Sequence, residues 1–306
     1  MLSKPCIALG PEVCRPSWDW IGFDISRELS KYYDVKVFLP NATKAPKCDL
    51  AIFIKHRPSQ NFLREASEAN IKLIYCPVDH YNRFEEVQRD AEFLRHCQAI
   101  LVHSERLVKV FEPYCQTVKF VEHHNRFGLN EPAVFRLDGY VMWVGGVQNL
   151  PPVIKWLKDH PLGVAIKFVT NYPTTFKGSL KNVLRIGDAH EIVNWSPRRQ
   201  RDTMAGARAA FDIKGGGFNQ MNKAPVKAQK FVASGIPFAV NQESYSAEYF
   251  GTRGYPVPSP MDTEYWLSRD YWDKTQAVRN NFREQLSLEN VGLAYKQIID
   301  RILEAK

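Results

Sequence analysis

The residues best suited to chemistry lie between Phe211 and Asn241. A strand-like apolar run leads to Lys214, three glycines follow (Gly215, Gly216 and Gly217), and a helical stretch then carries Lys223, Lys227 and Lys230. Glycine lets a backbone turn sharply and approach a ligand closely. Spacings of four and three put the three lysines on one helical face, opposite Ala224, Ala228, Phe231 and Val232. From Ile213 to Gln242 there are four lysines and no acidic residue. Like charges so spaced cost a helix about 0.2–0.5 kcal/mol per pair. An anion at the helix start, held by free N–H groups and the helix dipole, relieves that cost. The pattern points to phosphate recognition, and a solvated basic face is the competing reading.

Other apolar runs end in chemistry as well. Leu50–Ile54 leads into Lys55-His56-Arg57, and Leu73–Cys76 into Pro77-Val78-Asp79-His80. Asp79, His56 or His80 could serve as a general base. Blander roles compete: Asp79 as the cap of a helix near Arg83, His56 as surface loop. Gly145 and Gly146 follow the run Tyr140–Val144, with Asn149 just beyond, and Trp195 follows another run, where it could stack on a nucleotide base or simply pack in the core. Adjacent His123 and His124 point to alternate faces and make a poor metal pair. There is no D-x-D, no phosphate-loop lysine motif, and no G-x-G-x-x-G after a strand, which argues against a nucleotide hydrolase or a dinucleotide oxidoreductase.

Positioning such residues calls for strands that end in loops. In the first half, strand candidates at Cys6–Leu9, Val35–Leu39, Leu50–Ile54, Leu73–Cys76, Ala99–Val102 and Val118–Val121 alternate with helical patterns. Short continuous apolar runs suit parallel strands covered on both faces. The pattern restarts at Tyr140–Val144 and continues through Val164–Thr170, Val183–Ile186, Ile192–Trp195, Ala209–Ile213 and Pro237–Val240. The expected fold is α/β: two Rossmann-like, doubly wound domains facing each other across a cleft, with ligands at the carboxyl ends of the strands. The boundaries fall at 1–130 for the first domain and 138–286 for the second, with 287–306 a last helix.

The stretch from Lys223 to Pro237 (KAPVKAQKFVASGIP) resembles the donor-site helix of glycosyltransferase family 4 and its GT-B relatives. YVMWVGGVQNLPPVIKWL is similar to the strand, glycine loop and helix that open the family's second domain. Ala99–Gly128 is similar to the end of its first. The resemblance implies a glycosyltransferase that moves a sugar from a UDP- or GDP-sugar to an acceptor hydroxyl, with no metal or other cofactor required. It implies an acceptor-side role for the first domain, a donor role for the second, and a last helix that packs back toward the first. It implies donor contacts at Gly145, Gly146, Asn149, Trp195, Lys214, Gly215, Gly216, Lys223, Lys227 and Lys230. Two departures stand out. The family's paired glutamates fall here at Asn222 and Lys230, so the usual ribose contact is missing. The basic residue expected in the opening loop falls at Gly146.

The net charge is +8 and the sequence pI about 9.1. Such a balance suits an anionic acceptor, either nucleic acid (as in phage enzymes that glycosylate DNA bases) or a lipid-linked molecule at a membrane surface. No run of eighteen apolar residues occurs, so no transmembrane segment is expected. All six cysteines lie in the first 115 residues without a C-x-x-C pair, as core thiols of a cytoplasmic protein would. Two other classes stay open: a sugar-nucleotide epimerase, and a non-catalytic binding protein on the same scaffold.

Overall fold

The computed structural model describes residues 4–42, 44–172, 187 and 190–305. The chain divides into two compact units, one of Met1–His124, Gly217–Ala224 and Leu286–Lys306, the other of Asn125–Gly216 and Pro225–Gln285. The strand expected at Val183–Ile186 lies outside the described residues.

The first unit is built on β1 (Cys6–Gly10), β2 (Asp34–Val37), β3 (Leu50–Ile54), β4 (Lys72–Cys76), β5 (Ala99–Val102) and β6 (Val118–Phe120). All pairings are parallel, in the order β2-β1-β3-β4-β5-β6. The period of two along a strand divides the core between the two faces. Ala51, Phe53, Leu73, Tyr75, Ile100 and Val102 face one cluster, and Leu50, Ile52, Ile54, Ile74, Ala99 and Leu101 the other. The first cluster is closed by α2 (Gln60–Glu68) and α5 (Arg106–Phe111), through Phe62 and Phe111. Ser59 caps α2, its hydroxyl accepting from the Phe62 N–H. The helical stretch expected over Arg83–Arg95 forms two short pieces, α3 (Phe84–Arg89) and α4 (Ala91–His96).

The second cluster is closed by a wide π-type turn, Trp18–Phe23, by α1 (Asp24–Leu29), and by the chain's last helix. That helix, α13 (Leu288–Glu304), brings Val291, Tyr295, Ile299 and Ile302 to the first unit's sheet and packs against α1. The two approach closely at Gly292, where a β-carbon would sit 2.2 Å from Glu28 Cγ, so only glycine fits.

The second unit holds β7 (Tyr140–Val144), β8 (Ile166–Thr170), β9 (Glu191–Asn194), β10 (Ala207–Asp212) and β11 (Phe238–Val240), again parallel, in the order β11-β10-β7-β8-β9. Around it lie α6 (Leu150–Asp159), α7 (Pro197–Ala205), α9 (Val226–Ala233), α10 (Tyr245–Gly251), α11 (Thr263–Trp266) and α12 (Arg269–Gln285); α8 (Phe218–Met221) belongs to the first unit. The winding reverses between β1 and β3 in one sheet and between β7 and β10 in the other. Open α/β sheets bind ligands outside the carboxyl ends at such reversals. Two separate sheets are therefore present, as the sequence pattern requires, and no helix of the described residues is long and apolar enough to cross a membrane.

Candidate functional site

At the reversal of the second sheet, Gly145 follows β7 and Lys214 follows β10. The carboxylate of Asp212, the last residue of β10, organises the place. It is 3% exposed and takes the Lys227 ammonium at 2.6 Å, the Lys214 ammonium at 2.8 Å and the Trp143 indole N–H at 2.9 Å. Burial by itself raises its pKa, but the two ammonium groups outweigh this and hold the carboxyl below the usual carboxylate range. Lys227, in the first turn of α9, also lies 4.5 Å over the Trp143 ring. A β-carbon on Gly145 would come within 2.7 Å of that indole and 3.5 Å of the Lys227 ammonium, so glycine is what lets the loop pass this close. Asn241 clips the β10 loop, accepting from the Lys214 N–H at 2.7 Å and donating to its carbonyl at 3.2 Å. Gly216 has open space where a β-carbon would be, and Gly215 is half-buried. Gly146 precedes, and Asn149 ends, a single turn ahead of α6. Trp195 follows β9, 38% exposed, its indole N–H donating to Gln200.

The single lysine face expected from the spacing does not form. The helix begins at Val226, after Pro225, so Lys223 precedes it and lies with the first unit. Lys230, within the helix, is buried at 6% exposed, its ammonium 5.9 Å from the Phe127 ring. Burial lowers its pKa to about 8. That shift carries a stability consequence. Between about pH 8 and the ordinary lysine value near 10.4 the unfolded chain binds a proton that the folded chain does not, so stability rises with pH there. Thermal melts of the protein and of Lys230→Met should differ most at neutral pH, with the variant the more stable, and converge toward pH 10.

The first sheet presents a different chemistry. The loop after β4 holds Asp79 and His80, and Val78 before them has φ +33°, a strained value for a β-branched residue. The Asp79 carboxylate takes the Lys223 ammonium on Oδ2 at 3.4 Å, and its Oδ1 accepts no hydrogen bond among the described residues. Asp79 does not cap α3, whose N-cap is Arg83. Burial lowers the pKa of His80, which stands edge-on to Tyr81, and also that of His56, whose Nε2 is buried and has no partner among the described residues. Beyond β5 and β6, His103 stacks on His123 with ring centroids 4.0 Å apart, and burial lowers the pKa of His103 to about 4. His124 turns the opposite way, to Asp24 at 2.9 Å.

Gly217–Ala224 packs with the rest of the first unit. Asn219 donates to the Tyr81 carbonyl at 3.3 Å, Arg106 donates to the Met221 carbonyl at 3.0 Å, and Lys223 meets Asp79. The structure thus gathers Gly145, Lys214 and Lys227 around one carboxylate, and Asp79, His80 and Lys223 at another edge.

No family model matches the chain, and no curated protein does. Solved structures do. AviGT4, a glycosyltransferase involved in avilamycin A biosynthesis, superposes with a TM-score of 0.63 at 10% identity, covering 99% of each chain. The fold is GT-B. WaaG, a glycosyltransferase involved in lipopolysaccharide biosynthesis, shares it with a TM-score of 0.52 at 12% identity over 96% of this chain and 99% of its own. TarM shares it at 0.55 and 10% identity; the chain spans 55% of TarM and 57% of the GtfA/B complex chain it matches. In GT-B terms, the residues gathered here stand at the carboxyl edges of the two Rossmann-like sheets.

Proposed function

We propose that the protein is a glycosyltransferase that moves a sugar from a nucleoside-diphosphate sugar to an acceptor hydroxyl. The observation that carries this reading is the Lys214–Asp212–Lys227 cluster at the reversal of the second GT-B sheet. Two ammonium groups and one carboxylate leave one net positive charge, beside a glycine loop and the first turn of α9. A departing diphosphate needs positive charge of that kind. The lysines and helix dipole would supply it without a metal ion, so chelation with EDTA is expected to leave turnover unchanged. On the first unit, Asp79 is the proposed base for the acceptor hydroxyl, with His80 and His56 as neutral imidazoles nearby. The likeness to AviGT4 and WaaG, both glycosyltransferases, supports the same reaction class.

The test is a thermal-shift screen of UDP- and GDP-sugars, followed by measurement of nucleoside diphosphate release. One donor should raise the melting temperature and be turned over. If no nucleotide sugar shifts the melt and none is consumed, the reading fails. One observation favours a second reading, binding without turnover: the family's ribose-holding glutamate is here Lys230, turned into the core. A donor that shifts the melt but is never consumed would point to it.

A further inference from the structure

The first sheet has a reversal of its own, between β1 and β3, and open α/β sheets take ligands outside the carboxyl ends of the strands at such a point. Two loops leave it. The one after β1 carries Arg15 and runs into the π-type turn Trp18–Phe23, which packs against both β1 and β3. The one after β3 carries Lys55, His56 and Arg57. Lys55 is held at φ +64°, a left-handed backbone that lysine seldom adopts. Its N–H donates to the Cys76 carbonyl at 2.8 Å and its carbonyl accepts from the Tyr75 hydroxyl at 3.3 Å. The next N–H, of His56, turns back to the Ile54 carbonyl at 2.7 Å. Backbone strain held in place this way concentrates at binding sites, and here it fixes where the lysine leaves the strand.

The charge at this edge is uncompensated. Arg57 is taken by Asp90 and Lys223 by Asp79. Arg15 and Lys55 meet no carboxylate within ion-pair distance among the described residues, and Glu12, the acid of the β1 loop, is exposed and pairs with neither. Burial, Arg15 and Lys55 all lower the pKa of the His56 imidazole, and no acid opposes them. Two cations that act on one half-buried ring differ from a scattered, solvated basic face. An anion between them relieves their repulsion and lets the ring take up a proton. Arg15 is exposed and Lys55 half-buried, so a solute can reach both. Two unpaired cations match a phosphate monoester, which carries about two negative charges at neutral pH, whereas a carboxylate would leave one unmatched. A guanidinium also suits phosphate oxygens geometrically. A nucleic acid would call for a longer tract of cations than these two.

We propose that Arg15 and Lys55 bind a phosphate monoester group beside His56, and that the sugar acceptor carries this group. The inference rests on the glycosyltransferase reading for the word acceptor and on the two cations alone for the phosphate. The monoester can belong to a soluble molecule or to a lipid headgroup, since both present the same group. Part of the net charge of +8 thereby gains a definite task.

The readout is the pH titration of the His56 ring protons by NMR on the full chain without nucleotide, assigned by their loss in His56→Gln. Inorganic phosphate and glycerol 3-phosphate should each raise the midpoint saturably, and chloride or acetate at equal ionic strength should not. Arg15→Gln and Lys55→Gln should each weaken the monoester about tenfold, the usual worth of one charge-assisted contact, with circular dichroism confirming the fold. Flotation with vesicles of phosphatidylcholine, with and without phosphatidic acid, separates the two sources. Binding only to vesicles with phosphatidic acid, lost in the variants, places the monoester on a lipid and upholds the site. An unmoved midpoint with no such vesicle binding, an equal shift by chloride or acetate, or a shift that survives both substitutions would overturn the proposal. Tight binding of a single-stranded oligonucleotide with no monoester effect would do so as well. Transfer at full rate by both variants to an acceptor without phosphate would overturn the acceptor assignment while leaving the transfer reading intact. A monoester effect that follows the variants, with no nucleotide sugar ever consumed, upholds the site and sinks the transfer reading.

Discussion

Replacing Asp79 by asparagine should lower the rate of sugar transfer by about 10²–10⁴-fold, the usual worth of a positioned general base, while leaving donor binding within a small factor. The expectation comes from the geometry of one carboxylate. Its Oδ2 is held by Lys223 at 3.4 Å and its Oδ1 is free to accept. An acceptor hydroxyl at Oδ1 would lose its proton as the new glycosidic bond forms. Asparagine keeps the size and one acceptor oxygen, so the acceptor still binds, but it cannot take the proton. The loss should therefore appear in kcat rather than in KM. Lys223→Met is the companion variant. It keeps the base but removes the charge that orients it, so it should cost much less. His80→Gln and His56→Gln separate the remaining candidates. If either slows transfer more than Asp79→Asn does, the base has been misassigned. A loss below about tenfold in Asp79→Asn would remove general-base catalysis by this residue.

The fold was largely legible because parallel strands buried on both faces write themselves as short apolar runs. Leu50–Ile54 and Ala99–Val102, buried at every position, have the bounds that their apolar runs mark. Edge and end effects account for most differences. β2 starts a residue early and stops before Phe38, and β10 starts at Ala207, where alanines and an arginine leave little apolar signal. The helix over Arg83–Arg95 breaks at Asp90 because that side chain is drawn inward to Tyr81 and Arg57. Composition gives no sign of such a long-range pull.

The site was legible only in part, for a related reason. Helical spacing assigns faces only if the helix starts where it is assumed to start. Pro225 delays the start of α9 to Val226, which detaches Lys223 from the face, and packing beside Phe127 buries Lys230. Asp212, absent from the expected site, has a signal in the sequence. Residues two apart at a strand end point the same way, so Asp212 and Lys214 were readable as a pair. The arrival of Lys227 and Trp143 at the same carboxylate was not readable, since it depends on how β7, β10 and α9 pack.

Asp212→Ala should have the largest effect on stability, about 3–5 kcal/mol, because it strands two mostly buried ammonium groups without a counter-charge. Lys214 and Lys227 are 10% and 18% exposed at the side chain, and Trp143 loses its acceptor as well. Asp212→Asn, which can still accept from the indole, should cost less. The pH dependence has a definite sign. The folded carboxyl lies below its unfolded value, so its stabilising contribution is complete above about pH 4 and fades as the pH falls below that. The alanine variant should lack that acid limb, and urea melts between pH 3 and pH 7 would show it. Nucleotide binding then distinguishes two roles for the carboxylate. Without it, the net charge of the cluster rises from one to two positive charges, which by itself favours a diphosphate. If Asp212 chiefly holds the lysines in place, donor affinity measured where the variant is still folded should nevertheless fall. An increase would mean that the carboxylate competes with the phosphate for Lys227, and that the protein gives up donor affinity there to keep the two lysines buried and fixed.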